Sequence, residues 1–283
     1  MNKNIVIVGG SSYIGKYLIK NFSKTKGFTI YSSFFHNPTK NNNIKEFFLD
    51  IYNFKKDNLN IIPKKIYCLL VLSWPDLHSY QSIEHKKFSR YISKFVKFFL
   101  EKHFVESINV LGSCLEYGVV NGKINENHPC HPSTRYGKSK ILFLNNLLNL
   151  KNKYHFKLNW MRVFYLYGDT RNRGIWSQFI KAKDAKTTFK MSGGEQLFDF
   201  IHIKTLIRYI QMIIILNKDN KIINLCSGKP KRLLHMVSQW SEKFQVKLNI
   251  GYYPYTSYEG MRYWGDNKKI SKVKYYYKKK FEI

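Results

Sequence analysis

The sequence has no long apolar run and no segment with the shape of a signal peptide. Its uninterrupted apolar stretches, such as residues 69–72 and 213–216, are far shorter than the about 20 residues that a membrane-spanning helix needs. Near the amino terminus, the short run at residues 5–8 leads directly into Gly9 and Gly10. These absences predict a soluble, cytoplasmic protein with no membrane partner.

Cysteine is also scarce, with four residues in a chain of 283. They stand far apart, at Cys68, Cys114, Cys130 and Cys226. Neither the paired spacing of a metal site nor the density of a disulfide scaffold is present. Apolar and aromatic residues are abundant, at 44% and 17%, which excludes a disordered chain and predicts a sizeable core.

Acidic residues are few, 18 against 48 lysines and arginines, which leaves a formal charge of +30. Such an excess raises the question of a nucleic-acid partner. Only eight of the basic residues are arginine, whose planar guanidinium suits phosphates and base edges, and the lysines are spread over the whole chain. We interpret the charge as a solvated surface and expect no nucleic-acid partner, although the dense run at residues 268–280 could form a basic patch.

Strands and helices alternate along the first 165 residues. Short β-branched or apolar runs predict strands at residues 4–8, 28–32, 67–72, 107–112 and 158–164. Helical periodicity predicts helices at residues 13–22, 80–100 and 136–150. This alternation is typical of an α/β protein with a doubly wound, Rossmann-like parallel sheet.

The pattern loosens after residue 165. We predict a polar loop at residues 170–174, a helix at 206–216, a strand at 221–225 and an aromatic, loop-rich segment at 249–266. We therefore expect two domains with a cleft between them. Residues 1–165 would form a dinucleotide-binding domain that carries the catalytic residues, and residues 166–283 a smaller substrate-binding cap, with the chain crossing back near residues 200–225.

A glycine-rich segment at residues 9–15 follows the first predicted strand and opens the first helix. Gly9 permits a tight turn, Gly15 lets the helix pack close to the sheet, and the helix amino terminus suits a pyrophosphate. Ser12 departs from the usual pattern, which has glycine there. An ordinary strand–helix turn is the alternative to a cofactor site. We predict dinucleotide contacts at Gly9, Ser12, Tyr13, Ile14 and Gly15.

The end of the second predicted strand bears on the choice of cofactor. It lacks the acidic residue that would hold the 2′-hydroxyl of NAD. Ser32, Ser33, His36 and Lys40 could instead bind a 2′-phosphate. The sequence therefore predicts NADP or NAD, with a slight preference for NADP.

Tyr136 and Lys140 stand four residues apart, so both face the same side of a predicted helix. The spacing alone is uninformative, because the chain contains four such pairs. Only Tyr136 follows a helix start at residues 132–134 and lies 23 residues beyond Ser113, at the end of a predicted strand. The context selects this pair.

Taken together, these features resemble the extended short-chain dehydrogenase/reductase superfamily, which contains nucleotide-sugar epimerases, dehydratases and ketoreductases. The matching segments are residues 9–15, Asp50-Ile51, Ser113, Tyr136 with Lys140, and residues 162–168, 199–202 and 224–228. The resemblance implies that Ser113, Tyr136 and Lys140 are catalytic. The further cofactor contacts that it implies are Asp50, Ile51, Leu72, Ser73 and Tyr165.

Four segments are more narrowly similar to the dTDP-6-deoxy-L-talose 4-dehydrogenase group of dTDP-4-keto-sugar reductases. They are residues 72–75 with Tyr80, 112–118, 191–196 and 253–265. The implied substrate contacts are Trp74, Tyr80, Cys114, Tyr165, Trp176 and Arg262. Arg262 would bind the diphosphate, while the aromatic residues could equally belong to the core. Phe198 stands where the superfamily usually has arginine, so an anchor is lost or a different nucleotide is accepted.

The residue types fit reduction of a ketone. A carbonyl that accepts hydride needs a proton donor, and a phenol whose pKa is lowered by an ammonium group can serve at neutral pH. Lys140 would lower the pKa of Tyr136 and hold the nicotinamide ribose, and Ser113 would hydrogen-bond the carbonyl oxygen. The alternative is a surface tyrosine, a helix lysine and a turn serine with no joint role.

The residues after Ser113 narrow the range of possible reactions. Nucleotide-sugar 4,6-dehydratases carry an Asp-Glu pair there, whereas this chain has Cys114 and Leu115, so β-elimination lacks its acid and base. We interpret Cys114 as a packed residue rather than an acid. Glu116 could be either a site carboxylate or a structural residue.

The sequence as a whole predicts an NAD(P)H-dependent reductase of the 4-keto group of a nucleotide-linked 6-deoxyhexose, most simply a dTDP sugar, in deoxysugar or surface-polysaccharide biosynthesis. Two alternatives remain open. One is a nucleotide-sugar 4-epimerase that keeps its NAD bound, and the other is a non-catalytic nucleotide- or RNA-binding protein on the same fold. The superfamily resemblance also implies a homodimer.

Overall fold

The computed structural model of the protein describes residues 2–39, 41–168 and 174–281. The helices are α1 (Tyr13–Phe22), α2 (Glu84–Lys102), α3 (Arg135–Tyr154), α4 (Gly174–Asp184), α5 (Ile203–Leu216), α6 (Leu233–Phe244) and α7 (Lys268–Phe281). The strands are β1 (Lys3–Val8), β2 (Phe28–Phe34), β3 (Lys45–Phe48), β4 (Lys65–Ile66), β5 (Cys68–Val71), β6 (Phe104–Val105), β7 (Ser107–Ser113), β8 (Gly122–Ile124), β9 (Lys157–Val163), β10 (Tyr165–Tyr167), β11 (Phe189–Lys190), β12 (Leu197–His202), β13 (Lys221–Leu225), β14 (Pro230–Arg232), β15 (Leu248–Asn249) and β16 (Arg262–Gly265). Short 3₁₀ turns lie at Asp57–Leu59 and Cys114–Glu116.

The largest sheet has seven strands in the order β13-β9-β7-β5-β1-β2-β3, and all neighbouring strands are parallel. The predicted doubly wound α/β class is therefore confirmed. The strand order reverses at β1, since β2 and β3 lie on one side of it and β5, β7 and β9 on the other. In open α/β sheets, ligands bind at the carboxyl ends of the strands beside such a point.

The apolar strand β1 shows why the large sheet forms. Ile5 and Ile7 belong to the core with α1, α5 and α7, while Val6 and Val8 belong to the core with α2 and α3. Successive side chains of a strand point to opposite faces, so a strand covered by helices on both faces is apolar throughout. Among the described residues, no helix is both long enough and apolar enough to cross a bilayer.

A smaller sheet carries β10, β12, β16 and β8 in that order, with β14 antiparallel to β12. It packs with α4 and α6 in a third core. Strand β8 comes from the first half of the chain, whereas β13, α5 and α7 from the second half lie on the large sheet. The division into two domains at residue 165 stays a prediction.

Some elements differ from those predicted. Helix α2 begins at Glu84, so Tyr80 lies in the preceding loop, where its carbonyl oxygen accepts a hydrogen bond from the backbone of Tyr136 at 2.9 Å. Residues 268–280 were predicted only as a run of lysines. In the structure they belong to helix α7, whose buried side carries Ile270 and Val273. The predicted loop at residues 170–174 lies outside the described residues except for Gly174, which begins α4.

Candidate active site

The three predicted catalytic residues meet at the carboxyl edge of the large sheet. Ser113 ends β7, and Tyr136 and Lys140 lie one turn apart at the start of α3. Thr134 caps this helix by accepting a hydrogen bond from the backbone of Gly137 at 3.0 Å. A Cβ on Gly137 would lie 2.6 Å from the Leu115 carbonyl oxygen, so glycine lets the catalytic helix approach the turn after Ser113.

Tyr136 is only 8% exposed and is surrounded by aromatic rings. Tyr80 stacks on it with centroids 5.5 Å apart, and the rings of Trp74 and His85 contact it at 6.0 and 5.2 Å. Burial raises the pKa of Tyr136 well above its usual value, and a hydrogen bond with Ser113 only partly offsets this. The sequence-based expectation that Lys140 lowers this pKa stays a prediction, and burial is the largest cause of the shift.

Lys140 is 3% exposed, and its ammonium group lies 5.7 Å from the Tyr136 ring centroid. Its ammonium group donates to the Leu111 carbonyl oxygen at 2.7 Å and lies 3.8 Å from the Trp74 ring centroid. Burial lowers the pKa of Lys140 to about 7, and the negative charge of Glu116 works against that shift. Burial therefore makes Lys140 lose its proton more easily than an exposed lysine does.

Glu116 is fully buried beneath Ser113. One carboxylate oxygen accepts from the backbone of Ser113 at 2.7 Å, and the other pairs with the Arg162 guanidinium at 2.7 Å. The indole of Trp160 donates to both oxygens. The sequence left open whether Glu116 is a site carboxylate or a structural residue. The hydrogen bond that holds the backbone of Ser113 supports a structural role.

The glycine-rich turn lies at the switch point of the sheet. Gly9 has φ of +89°, a conformation that favours glycine, and a Cβ there would lie 2.4 Å from the Ser73 hydroxyl oxygen. A Cβ on Gly15 would lie 2.4 Å from the Gly10 carbonyl oxygen. Ser12 accepts from the Gly15 backbone at 3.2 Å, so its side chain caps α1. This contact explains how serine is tolerated at the position where the usual pattern has glycine.

The predicted contacts of the adenine and nicotinamide halves lie along the same edge. The backbone amides of Leu72 and Ser73 donate to the Val8 carbonyl oxygen at 2.9 and 3.2 Å, which brings the end of β5 beside the glycine turn. Asp50 is partly exposed after β3, and Ile51 next to it is buried. Tyr13 and Ile14 occupy the first turn of α1. A tight glycine cradle at a helix amino terminus fits a dinucleotide.

The predicted 2′-phosphate site is not supported by the structure. Ser33 accepts a hydrogen bond from the Gly9 backbone at 2.9 Å and is buried. Ser32 is also fully buried, and a Cβ on Gly10 would lie 1.8 Å from its hydroxyl oxygen. Ser33 therefore supports the glycine turn and Ser32 lies beneath it, and neither side chain is exposed. His36 is exposed, and Lys40 lies outside the described residues.

The six predicted substrate contacts fall into three groups. Trp74 is buried against Phe88 and also contacts Tyr136, and the partly buried Trp176 packs on Trp240; sugar contact stays a prediction for both. Arg262 is exposed on β16. Tyr80, Cys114 and Tyr165 lie near the catalytic residues.

Sequence reasoning missed the side chains that join Tyr165 to the catalytic turn. Tyr165 hydrogen-bonds both Glu259 and Tyr263, at 2.9 Å each, and Tyr263 reaches the Cys114 sulfur at 3.4 Å. Tyr258 contacts Tyr80 ring to ring at 5.9 Å. The only signal for these residues was the similarity of residues 253–265 to one group of reductases.

Comparison of the sequence with known proteins assigns the chain to a family. Residues 99–226 match the model of the NAD dependent epimerase/dehydratase family. The chain is 30% identical over 270 residues to dTDP-6-deoxy-L-talose 4-dehydrogenase (NAD(+)) of Aggregatibacter actinomycetemcomitans, an alignment that covers 93% of this chain and 99% of that protein. The protein therefore belongs to the NAD-dependent epimerase/dehydratase family, as its motifs predict.

Two solved structures have a fold similar to that of this chain. UDP-glucuronic acid 4-epimerase from Bacillus cereus, in complex with UDP-glucuronic acid and NAD, has a TM-score of 0.81 at 17% identity, covering 95% of this chain and 92% of that one. The dTDP-glucose 4,6-dehydratase from Bacillus anthracis, in complex with NAD, has a TM-score of 0.78 at 14% identity, covering 99% of this chain and 91% of that one.

Proposed function

We propose that the protein is an NAD-dependent oxidoreductase of a nucleotide sugar and that it reduces the 4-keto group of a dTDP-linked 6-deoxyhexose. The observation that carries the proposal is the buried set of Ser113, Tyr136 and Lys140, which lies at the same sheet edge as the glycine turn at residues 9–15. The relative from A. actinomycetemcomitans is named for NAD(+)-dependent chemistry at position 4 of a dTDP-deoxysugar, which supports the substrate class.

In this proposal NADH supplies the hydride, and the side chains handle the proton and the developing charge. Tyr136 donates its phenolic proton to the carbonyl oxygen as that oxygen gains charge. Ser113 hydrogen-bonds the same oxygen, and its backbone is held in place by Glu116. Burial keeps Tyr136 protonated until a substrate oxygen arrives, since the phenolate is disfavoured there. Lys140 would contact the nicotinamide ribose.

NAD is the cofactor we propose, in place of the slight preference for NADP drawn from the sequence. Ser32 and Ser33 are buried under the glycine turn, which removes two of the four groups on which that preference rested. The homologous deoxytalose dehydrogenase is named for NAD(+), and the similar solved structures hold NAD.

Dehydration is disfavoured by the turn after Ser113. Burial raises the pKa of Cys114 to about 12, so its thiol is neither an effective acid nor an effective base at neutral pH. Leu115 is buried and apolar. The enzyme would therefore use a keto sugar that a separate dehydration has already produced.

The test is oxidation of NADH on addition of a dTDP-4-keto-6-deoxyhexose, followed at the absorbance band of reduced nicotinamide. We expect one NADH consumed for each keto sugar and free exchange of the cofactor. If the keto sugar is left unchanged while a UDP-hexose is interconverted without net consumption of NADH, the protein is a 4-epimerase and the reductase proposal fails.

A further inference from the structure

A hydrogen-bonded group of side chains, which we call the Glu259 cluster, adjoins the catalytic turn and has no part in the proton transfer described above. It consists of Glu259, Tyr165, Tyr263 and Cys114. The Tyr165 hydroxyl donates to the Glu259 carboxylate at 2.9 Å and shares a second hydrogen bond with the Tyr263 hydroxyl at 2.9 Å. The Tyr263 hydroxyl, whose single proton can go either to Tyr165 or to sulfur, lies 3.4 Å from the sulfur of Cys114, the residue directly after Ser113.

The residue before Glu259 contacts the aromatic rings around Tyr136. Tyr258, the residue before Glu259, packs its ring edge-on against Tyr80, and Tyr80 stacks on Tyr136. The carbonyl oxygen of Tyr258 also accepts from the Ser133 hydroxyl at 3.0 Å, just before α3. Tyr258 and Glu259 therefore lie in a series of contacts that begins at Cys114, next to Ser113, and reaches Tyr136 through Tyr80.

Glu259 has no cationic partner among the described residues; burial raises the pKa of its carboxyl, and the hydrogen bonds that it accepts work against that shift. Its partners are the neutral hydroxyls of Tyr165 and Thr256, at 2.9 and 3.3 Å. Within residues 2–39, 41–168 and 174–281, no lysine, arginine or histidine forms an ion pair with it. A carboxylate has about four acceptor positions, so two hydroxyl donors leave it able to accept more.

A mostly covered carboxylate with spare acceptor positions complements hydroxyl donors and repels a second carboxylate. The hydroxyl groups of a sugar ring are such donors. The fold itself does not exclude an acidic sugar, since the B. cereus epimerase of the same fold is seen with UDP-glucuronic acid. Any discrimination must come from particular side chains.

We propose that Glu259 contacts the sugar ring of the nucleotide sugar and restricts the site to hexoses without a carboxylate. This inference rests on the proposed function, because it requires a nucleotide sugar to lie beside Ser113 and Tyr136. Tyr165 is the positioning residue that holds the Glu259 carboxylate toward that space.

The experiment compares UDP-glucose with UDP-glucuronic acid on the NAD-saturated protein by calorimetric titration. The two ligands share base, ribose and diphosphate and differ only in the group at C6. We expect wild type to bind UDP-glucose about tenfold or more tightly than UDP-glucuronic acid, because two carboxylates would face each other in the second complex. In Glu259→Gln, which keeps the size of the side chain and an acceptor oxygen, the ratio should fall to within about twofold.

The matched control is Glu242→Gln, which removes the same charge from an exposed position on α6 and should keep the wild-type ratio. Equal binding of the two sugars by wild type would overturn this inference and leave the proposed function standing. So would an unchanged ratio in a folded Glu259→Gln protein. Binding of neither UDP sugar by wild type would overturn the inference, whereas the proposed function is tested separately by oxidation of NADH with the dTDP-linked keto sugar. A wild-type ratio near one overturns the inference whether or not Glu259→Gln folds.

Discussion

In the proposed function, Tyr136 gives a proton to a carbonyl next to Ser113, with which its hydroxyl shares a hydrogen bond. We expect Tyr136→Phe to lower turnover by at least about 100-fold, since a positioned general acid contributes that much or more. Affinity for NAD should stay within a few-fold, because the glycine turn at residues 9–15 holds the cofactor. Steady-state rates and NAD titration measure the two effects separately.

Tyr154→Phe provides the control for this change, since it removes a phenolic hydroxyl at the opposite end of the same helix. It should leave turnover unchanged. Near wild-type turnover in Tyr136→Phe would remove this residue from the role of acid.

Lys140 makes the stability of the protein depend on pH in a definite direction. Burial lowers its pKa to about 7, whereas the pKa of a lysine in the unfolded chain is about 10.4. Between these values the unfolded state binds more protons, so the free energy of unfolding rises with pH. Relative to Lys140→Met, wild type should gain up to about 1.4 kcal/mol per pH unit from pH about 7 to 9.

Denaturant unfolding of both proteins at three pH values in this range tests the sign. Lys138→Met, which changes an exposed lysine on the same helix, should follow wild type at all three. Parallel stability curves for wild type and Lys140→Met would show that Lys140 keeps its proton in the folded protein.

At the scale of single residues, the sequence identified Ser113, Tyr136 and Lys140 because spacing and helix-start signals are local. It could not show which way a side chain points at the end of a strand. The NADP preference failed for this reason, since Ser33 turns toward Gly9 and Ser32 lies under Gly10. Glu116 was ambiguous because its partner Arg162 lies on a different strand, β9.

Among the secondary-structure elements, helix α1 owes its position to the close packing of Gly15 against the glycine turn. Alanine is intrinsically better than glycine inside a helix by about 1 kcal/mol. A Cβ on Gly15, however, would lie 2.4 Å from the Gly10 carbonyl oxygen, a backbone atom that cannot rotate away. We expect Gly15→Ala to destabilise the protein by more than about 1 kcal/mol and to weaken NAD binding, because the turn must shift.

Ser271→Ala on the exposed side of α7 provides the comparison, since it introduces the same residue into a helix without a neighbouring carbonyl to displace. Thermal unfolding and NAD titration are the measurements. A Gly15→Ala protein as stable as wild type, with unchanged NAD affinity, would show that the turn has room to spare.

Five strands and three helices of the first 165 residues were predictable because their apolar periodicity reflects burial on one or both faces, whereas the short edge strand β3 was not predicted. Helix α7 was not, since its lysines dominate the composition while Ile270 and Val273 alone mark its buried side. The segment at residues 250–261 has no periodicity, and its position depends on contacts of Tyr258 and Glu259 with residues far away in sequence.

For the molecule as a whole, the charge of +30 should act on the rate at which substrate arrives. A nucleoside diphosphate sugar is an anion, and a strongly positive protein attracts it over a distance that salt shortens. We expect kcat/KM to fall severalfold between about 0.05 and 0.5 M salt, with kcat nearly constant. Initial rates in sodium chloride test this, and a salt-independent kcat/KM would contradict it.

The buried pair of Glu116 and Arg162 has an evolutionary consequence. Removing one partner leaves an uncompensated charge in the interior at a cost of about 3–5 kcal/mol, whereas replacing both by apolar residues can be nearly neutral. Single changes at either position are therefore poor intermediates, and the two positions should change together. In a library randomised at both and selected for activity, survivors should carry the charged pair, because an apolar residue at position 116 would also leave the N–H groups of Ser113 and Trp160 unpaired, and frequent survivors with one charge would contradict this coupling.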